Sequence, residues 1–326
     1  MFKLNHVFSR RSAALLALSA PVVLGGALGT QVATAHAHTL NAPQQSANWA
    51  GYVARSKSGQ RFSSVSGSWV QPAVSAGSGR GYSAFWVGIG GAGQHSKKLE
   101  QVGTSADVVN GKAQYSAWYE LVPAPETKVN LAIHPGDHIS ARVEVQGSQV
   151  TMGLSDTTTG QSVTKTLTMK NPDTKTAEWI AEAPSEQTPG GGMKILPLAD
   201  FSKVTFTNAS ATAGGHTGSI SDPDWTAQQT EMSAGAQNSG PGGVNVIGGL
   251  PGMATGTSAG AGPSDLTAGG TSFSVSYNSG AGDEGSAYPA GSGVSGFGYP
   301  SGFGYPGYGY GGGYVYVLPG GFAVVI

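Results

Sequence analysis

Short runs of Val, Ile, Tyr, Trp and Thr recur between about Ser46 and Phe206, and Gly, Pro, Asn and Asp separate them. Many of these runs alternate apolar and polar residues, which is the period-2 pattern of a strand with one buried face. The pattern predicts strands at Ser64–Val70, Ser83–Ile89, Ala113–Leu121, His138–Val145, Gln149–Leu154, Ser162–Met169 and Lys203–Thr207. No stretch shows the apolar period of a long amphipathic helix. We therefore expect an all-β chain, and strands of this length and spacing indicate a β-sandwich.

The segment AEWIAEA at 177–183 places two glutamates four residues apart with no basic residue among them. Pro172 and Pro184 leave room only for a short helix, in which Glu178 and Glu182 would repel each other as like charges at i, i+4. We therefore predict a strand. The two carboxylates would then share one face, roughly 13 Å apart, so each needs its own partner from another strand.

The N-terminus has the pattern of an export signal. Basic residues precede an apolar run from Ser12 to Leu28, and small-residue cleavage sites follow it. We assign 1–37 to a signal peptide and 38–45 to a short leader. An uncleaved membrane anchor is the alternative, although Pro21 and two glycines interrupt the run. The mature protein is expected to be secreted, with no membrane contact after signal removal.

The composition changes near residues 227–228, where Gly, Ser, Ala and Pro become dominant. We predict a sandwich domain over 46–277 that contains a low-complexity insertion at 233–270, followed by the strand-like Thr271–Tyr277. Residues 278–326 form a tail rich in Gly and Tyr that carries the repeat GFGYP. Such a tail buries too little apolar surface to order itself, so we expect it to be disordered. A linker, an adhesive tail and a cleaved terminal piece remain open alternatives.

Charge and cysteine usage exclude several functions. Only 11% of the 326 residues are charged and the net charge is -1, against roughly 25% charged residues in an ordinary domain. A nucleic-acid partner is therefore not expected, because the chain lacks a basic stripe. Low charge limits self-repulsion in acid, although dilution by Gly, Ser and Thr explains it equally well. The absence of cysteine excludes disulfides, thiolate nucleophiles and Cys-ligated zinc.

Three familiar motifs are discounted by their context. Residues 88–93 fit G-x-G-x-x-G, but the polar segment after them is too short for the helix that a dinucleotide site needs, so we predict a turn. Residues 256–260 fit G-x-S-x-G without the flanking strand and helix. His134 and His138 flank Pro-Gly, which predicts a turn between strands rather than a helical metal site. We expect no metal and no cofactor.

Tryptophan is concentrated in the strand-like runs. Core packing is the plain interpretation of these residues, and a groove for a peptide or a sugar is the functional one. The residues concerned are Trp49, Trp69, Trp86, Trp118 and Trp179.

An ordered set of segments resembles the glutamic peptidases of the eqolisin (G1) family. The segments are SANWAGYV at 46–53, VSGSWVQPAV at 65–74, SAFWVGIGG at 83–91, LEQVGT at 99–104, YSAWYELVP at 115–123, HPGDHISARVEV at 134–145, AEWIAEAPSE at 177–186 and PLADFSKVTFTNAS at 197–210. TSFSVSY at 271–277 resembles the closing strand. The match covers about 46–225 and that strand.

The resemblance implies two antiparallel sheets packed face to face in a concanavalin A or legume-lectin-like sandwich. It also implies a secreted, pepstatin-insensitive endopeptidase that acts on polypeptides at acid pH, which we expect to be a monomer. By position in the motifs, the catalytic pair would be Gln101 and Glu182. The cleft residues would be Trp49, Trp86, Tyr119 and Glu120. Family members often have Asp where this chain has Gly90 and Ser105, and Asp107 is a candidate replacement for the second.

The residue types suit peptide hydrolysis. Glu182 as a carboxylate would take a proton from water and return it to the leaving nitrogen. Gln101 would donate from its amide to the oxyanion and orient the water with its carbonyl. A cation beside Glu182 would lower its pKa and weaken it as a base, which explains the acidic segment without a basic residue. A non-catalytic carbohydrate-binding or adhesive sandwich is the alternative function, because the same fold serves lectins.

Overall fold

Strands form the regular structure of the chain in a computed structural model that describes residues 42–75, 79–93, 96–187, 193–233, 254–255, 259–267, 269–279, 315–317 and 323–325. These residues include no helix, which confirms the all-β prediction. It follows that no described helix is long and apolar enough to cross a membrane. The predicted signal peptide, residues 38–41 of the leader and most of the insertion and tail lie outside the described residues.

The strands are numbered in chain order. They are β1 Gln44–Ser46, β2 Trp49–Ser56, β3 Phe62–Val70, β4 Ala84–Gly90, β5 Leu99–Val109, β6 Lys112–Val122, β7 Thr127–Val129, β8 His138–Gln146, β9 Gln149–Asp156, β10 Gln161–Thr168, β11 Thr176–Glu182, β12 Ser185–Gln187, β13 Met193–Ile195, β14 Lys203–Ala213, β15 His216–Gly218, β16 Trp225–Met232, β17 Ala254–Thr255, β18 Gly260–Pro263, β19 Phe273–Asn278, β20 Val315–Val317 and β21 Ala323–Val325.

Sixteen of these strands form one continuous sheet in the order β10-β9-β8-β3-β14-β19-β18-β16-β2-β11-β4-β5-β6-β7. β1 adds to β16 as a parallel partner and β15 adds to β14 as an antiparallel one. β12, β13 and β17 form a small separate sheet, and β20 pairs with β21. Every neighbouring pair in the long order is antiparallel, as period-2 patterns and short turns lead one to expect.

The long sheet folds back so that its two ends face each other. We name strands β10, β9, β8, β3 and β14 the β3 half, and strands β16, β2, β11, β4, β5 and β6 the β11 half. The indole nitrogen of Trp179 on β11 donates to the carbonyl oxygen of Ser66 on β3 at 2.7 Å. Trp69 on β3 likewise donates to the hydroxyl of Thr104 on β5 at 3.1 Å. Apolar side chains from both halves fill the space between them as the main core.

The two halves differ in how their strands are covered. In the β3 half, β3, β8, β9 and β14 largely alternate between buried and more exposed residues, because one face packs on the core. In the β11 half, every residue of β4 is buried, as are the first ten of β5. A second apolar cluster covers the outer face of this half. Its members are Trp49, Val53, Ala84, Trp86, Ala92, Leu99, Trp118, Val122 and Ile180.

All of the strands predicted from alternation are present, as β3, β4, β6, β8, β9, β10 and β14. The strand at AEWIAEA is confirmed as β11, and the one at 271–277 as β19. The alternation pattern did not predict β2 and β5, because these strands are buried on both faces and do not alternate between apolar and polar residues. β16 runs through the composition change at 227–228 as far as Met232. β18 lies within the predicted insertion at 233–270. Its sequence GAGP has almost no side chains, so it carries no alternation pattern that could predict a strand.

The turn predictions are also confirmed where the structure describes them. Asp137 donates its backbone N–H to the carbonyl of His134 at 3.1 Å, and Gly136 has a φ of 93°. Gly91 and Gly93, after the end of β4, have positive φ values, so the G-x-G-x-x-G segment bends out of its strand into a loop. Residues 256–258 of the G-x-S-x-G segment lie outside the described residues.

Candidate active site

The outer face of the β11 half, which we name the site face, carries most of the predicted catalytic and cleft residues. Alternation along β11 points Glu178, Ile180 and Glu182 to this face, and the apolar cluster around Ile180 confirms the orientation. Glu182 lies opposite Trp49 of β2. On β5, Gln101 lies opposite Glu120 of β6.

Glu182 is held by neutral hydrogen-bond donors. Asn48 donates from Nδ2 to Oε1 of Glu182 at 3.0 Å, and the indole of Trp86 donates to Oε2 at 2.8 Å. The indole nitrogen of Trp49 has no hydrogen bond of its own, yet it lies close enough to Glu182 to lower its pKa. No cation pairs with Glu182 among the described residues. The predicted base is therefore oriented at both oxygens without a salt bridge.

Asn48 is a site residue that the sequence analysis missed. Its side chain is fully buried, and its backbone carbonyl accepts from the N–H of Ala183 at 2.9 Å. The hydroxyl of Ser46 accepts from the backbone N–H groups of Asn48 and Trp49 at 3.3 and 3.0 Å. These bonds fix the entry into β2 beside the end of β11. The one feature of the sequence that could have indicated Asn48 is its place as a polar residue directly before the apolar run of β2.

Gln101 is held by Glu120 across the β5–β6 pair. Its Nε2 donates to Oε2 of Glu120 at 2.5 Å, and both residues are buried. The carbonyl oxygen of Gln101 and the second oxygen of Glu120 are buried and make no hydrogen bond with any described residue. An amide nitrogen carries two hydrogens, so Gln101 keeps one N–H that this bond does not use. The arrangement orients the amide and leaves both of its ends able to bind a substrate.

Trp86 lies between the two predicted catalytic residues in the sheet. β4 separates β11 from β5, and Trp86 pairs with Ile180 on one side and Gly103 on the other. A Cβ atom at Gly103 would lie 2.6 Å from the Cβ of Trp86 and 2.4 Å from the carbonyl oxygen of Phe85, so only glycine fits beneath the indole. Trp49 packs edge-on against Trp86 with ring centroids 4.9 Å apart. The indole floor between Glu182 and Gln101 is thus rigid.

Burial raises the pKa values of the acids around this floor. It raises the pKa of Glu182 to about 8, against the hydrogen bonds from Trp86, Trp49 and Asn48 that lower it. It also raises the pKa of Glu120 to about 8, helped by the negative charge of Glu126. The side chain of Glu126 is partly exposed to solvent, yet burial of its carboxyl group among protein atoms raises its pKa to about 7. Asp107 has its pKa raised to about 7, mainly by burial.

Tyr119 is not brought to the site face. It lies between Trp118 and Glu120 on β6, so its side chain points to the opposite face, and it packs against the main core. Trp49, Trp86 and Glu120 do lie on the site face with Gln101 and Glu182. Trp118 also lies there, although the sequence analysis did not select it as a cleft residue.

The two departures from the family pattern have local explanations. Gly90 has a φ of 84°, and a Cβ there would lie 2.3 Å from the carbonyl oxygen of Asp173, so a side chain is excluded. The carboxylate of Asp173 instead accepts from the hydroxyl of Ser96 at 2.5 Å. Ser105 accepts from the indole of Trp118 at 2.9 Å. An uncharged serine is therefore sufficient to orient this tryptophan.

Glu178 shares the site face with Glu182 but has different surroundings. It is fully buried, and neither carboxylate oxygen makes a hydrogen bond among the described residues. Burial raises its pKa well above the ordinary range, against the hydroxyl of Thr176 and the positive charge of Arg55. Glu178 is thus held as a neutral acid inside the protein, whereas Glu182 reaches partly exposed surface.

Comparison with known proteins adds independent findings. The family model of the Peptidase A4 family matches residues 47–245. Aspergillopepsin-2 from Aspergillus niger is 35% identical over 203 residues, which are 55% of this chain and 69% of the relative. The crystal structure of scytalido-glutamic peptidase with a transition state analog inhibitor is 28% identical and superposes with a TM-score of 0.53, covering 71% of this chain and 98% of the other. SCP-B, an eqolisin solved in complex with the tripeptide Ala-Ile-His, is 26% identical with a TM-score of 0.50 and the same coverage.

The fold and these relatives define a glutamic endopeptidase, a hydrolase that acts on peptide bonds. The chain belongs to the Peptidase A4 family, whose members include the eqolisin or G1 peptidases. The resemblance stated from the sequence is therefore confirmed. The peptidase interpretation is also confirmed over the alternative of a sandwich without catalysis.

Proposed function

We propose that Glu182 and Gln101 are the catalytic pair of this endopeptidase. One observation carries the proposal: Glu182 is oriented by two neutral donors without a cation, on the same face as an amide that is oriented at one end only. A base for water needs a free electron pair and a fixed direction, and the bonds from Asn48 and Trp86 leave Glu182 with both.

The reaction would begin with a water bound between Glu182 and Gln101. Glu182 removes a proton from the water as its oxygen attacks the peptide carbon. The unused N–H of Gln101 donates to the oxygen that becomes negative, and this donor needs no reorganisation because Glu120 already holds the amide. Glu182 then passes the proton to the leaving nitrogen, so the peptide C–N bond breaks and a carboxyl group and an amine are released.

Glu120 and Glu126 control how the site ionises. Their charges oppose each other and that of Glu182, so the three carboxyl groups lose protons in successive steps rather than together. The donors on Glu182 favour its carboxylate, whereas Glu120 accepts a single bond from Gln101. We infer that Glu182 ionises first while Glu120 keeps its proton. The number of active molecules then rises with pH across the acid range.

Polypeptides are the substrates of the family, and the site face offers them an aromatic floor. Trp86 lies on β4 between the strands of the two proposed catalytic residues, and Trp49 on β2 and Trp118 on β6 flank these strands. Scytalido-glutamic peptidase has been solved with a peptide-based transition state analog, and SCP-B with a tripeptide. We propose that an extended peptide lies across β11, β4 and β5, with its scissile bond above Trp86.

We further propose that the enzyme is secreted, monomeric and insensitive to pepstatin, and that residues 1–37 are its signal peptide. The pattern at the N-terminus and the family carry these points. The β3 and β11 halves would correspond to the two sheets of a concanavalin A-like sandwich, joined here through β18 and β19. The tail at 278–326 would be dispensable for proteolysis.

The test is hydrolysis of denatured casein between about pH 2 and pH 9, a range that covers ordinary carboxyl groups and the raised pKa of Glu182 at about 8. Wild type, Glu182→Gln and the control Glu178→Gln would be compared with and without pepstatin. We expect cleavage at acid pH that pepstatin does not inhibit. Loss of the general base should reduce kcat/KM by roughly 10²–10⁴-fold in Glu182→Gln. Full activity in Glu182→Gln would refute the proposed catalytic pair. Inhibition by pepstatin would refute the proposed insensitivity to this inhibitor.

A further inference from the structure

A cavity of about 440 Å³ opens beside the last residues of β2 and the first residues of β11. This is the end of the strand pair that lies away from Glu182. Its size is within the range of small-molecule sites, which is about 300–1,000 Å³. Arg55 and Thr176 pair across the two strands at this end, whereas Trp49 and Glu182 pair at the other. The two pairs are six residues apart, which is roughly 20 Å along a strand. The cavity is lined by Arg55, Ser56, Gly59, Gln60, Arg61, Ala92, Gly93, Lys175 and Thr176.

Three cations converge on this cavity in a chain that has only 17 lysines and arginines. Arg61 and Lys175 are exposed, and neither side chain has an ion pair or a hydrogen bond with another described residue. Arg55 is half-buried. Its Nη2 donates to the carbonyl of Ala92 at 3.2 Å, but its Nη1 is buried and has no hydrogen-bond partner within the described ranges. A buried guanidinium nitrogen without an acceptor is unfavourable, so the cavity lacks an acceptor that a ligand can supply.

The acids near the cavity do not neutralise it. Asp173 already accepts from the hydroxyl of Ser96 and from the backbone N–H of Lys175. Glu178 lies beneath Arg55, but burial raises its pKa well above the ordinary range and keeps it protonated in acid. The positive charges therefore exceed the negative ones at the acid pH where the enzyme is proposed to act.

We propose that this cavity is an oxyanion site that binds a carboxylate or phosphate group. Nη1 of Arg55 would bind one oxygen at the base, and Arg61 and Lys175 would bind the others at the rim. Guanidinium groups bind such planar or tetrahedral oxyanions through charge-assisted hydrogen bonds. A free anion and an acidic side chain of a polypeptide carry the same chemistry, and both fit the open rim.

Thermal unfolding of the full chain tests the site without relying on proteolysis. Wild type and the inactive Glu182→Gln variant would be unfolded at about pH 5 in sodium chloride, inorganic phosphate or citrate, at matched ionic strength. At about ten times the dissociation constant, binding should raise Tm by roughly 3–6 °C above the chloride value. The same shift in Glu182→Gln would separate this site from catalysis. An equal Tm in all three salts would overturn the proposal.

Paired variants distinguish a built site from net charge. Arg61→Gln with Lys175→Gln removes two rim cations, and Lys165→Gln with Lys203→Gln removes two exposed cations elsewhere. We expect the rim pair to lose the phosphate and citrate shift and the control pair to keep it. Equal loss in both pairs would show only general attraction of anions and would overturn the site.

Calorimetric titration identifies the source of the oxyanion. Inorganic phosphate, citrate and a pentaglutamate peptide would be titrated into Glu182→Gln and into its rim double variant. Binding of phosphate or citrate that the rim variant loses supports a free anion as ligand. Binding of the peptide alone, again lost in the rim variant, supports an acidic segment of a polypeptide. Binding that is unchanged in the rim variant would refute the site for that probe.

Discussion

The β3 half and the β11 half of the sheet treat buried acids in opposite ways. In the β3 half, Asp156 is buried at the end of β9 and accepts hydrogen bonds from Thr158 and Thr159. Burial acts to raise its pKa, but these bonds outweigh burial and lower it. In the β11 half, Glu100 and Glu178 are buried, and their carboxyl oxygens make no hydrogen bond with the part of the chain that the structure describes. The β3 half thus stabilises the charged form of its buried acid through local hydrogen bonds. The β11 half favours the protonated form of its buried acids, because burial raises their pKa values.

For Glu178 this difference follows from what covers the outer face of each half, whereas Glu100 alternates with Gln101 along β5 and so points to the opposite face. The outer face of the β3 half is open to water, so its strands alternate and its polar residues are solvated. The β11 half is covered on both faces, so polar residues on its outer face are buried beside indole rings. Carboxyl groups in such surroundings acquire raised pKa values, which catalysis uses. The proposed catalytic residues therefore lie on the half whose second face is covered.

The largest expected contrast between the halves is the pH dependence of stability. Burial raises the pKa of Glu100 to about 8, helped by Asp173. A raised pKa gives stability that is complete below the unfolded pKa near 4.5 and is lost as pH rises towards 8. Because one pKa unit corresponds to about 1.4 kcal/mol, the loss should reach several kcal/mol. Unfolding by urea between about pH 4 and pH 8 would measure it.

Matched variants assign that loss to one half. Glu100→Gln removes a titrating group but keeps its shape, so it should flatten the fall in stability above about pH 5. Asp156→Asn removes an acid whose pKa is lowered, and such an acid stabilises above its unfolded pKa and less in acid. We expect Asp156→Asn to be most destabilising near neutrality. Parallel stability curves for Glu100→Gln and wild type would contradict the contrast.

The oxyanion donor should give the next largest effect. Gln101→Ala removes the proposed donor, and the loss of one such donor reduces kcat by roughly 10²–10³-fold. It also leaves the carboxyl group of Glu120 buried without the hydrogen bond from Gln101, which should lower stability by about 1–3 kcal/mol. Kinetics on a peptide substrate and thermal unfolding would measure the two effects.

The control for Gln101 lies in the other half. Gln149 is exposed at the start of β9, so Gln149→Ala should change neither kcat/KM nor stability appreciably. A Gln101→Ala enzyme with wild-type kcat would remove Gln101 from the mechanism. A normal kcat with lowered stability would leave it as a packing residue only.

The same contrast explains what could be read from the sequence. β8 has one solvated face, so the alternation of HISARVEV predicted it closely. β5 is buried on both faces, so LEQVGTSADVV gave no period and was found only through the family resemblance. Asn48 was missed because its role depends on β2 lying beside β11, a contact 134 residues apart in sequence. Tyr119 was selected by its place in a motif, whereas the pleat of β6 turns it to the core.

The smallest predicted effect concerns the donors on Glu182 and separates positioning from stability. Asn48→Ala removes the bond to Oε1 of Glu182, so the carboxylate is less stabilised and its pKa should rise further. With fewer ionised molecules in acid, kcat/KM should fall roughly 10–100-fold near pH 4, since a hydrogen bond to a charged group contributes about 1.5–3 kcal/mol. The rising limb of the pH profile should move to higher pH, and measuring kcat/KM from about pH 2 to pH 9 would show the shift.

Two tryptophan variants decide whether that shift is specific to Glu182. Trp86→Phe removes the donor to Oε2 and should move the pH profile in the same direction as Asn48→Ala. Trp69→Phe removes an indole donor of the β3 half that bonds Thr104 in the core, so it should lower Tm and leave the profile in place. If all three variants lowered activity equally at every pH, the donors would act through packing alone. A shift confined to Asn48→Ala and Trp86→Phe would instead mean that neutral N–H groups set the ionisation of Glu182. Burial and the charge of Glu126 drive its pKa upward, and no cation among the described residues pairs with it.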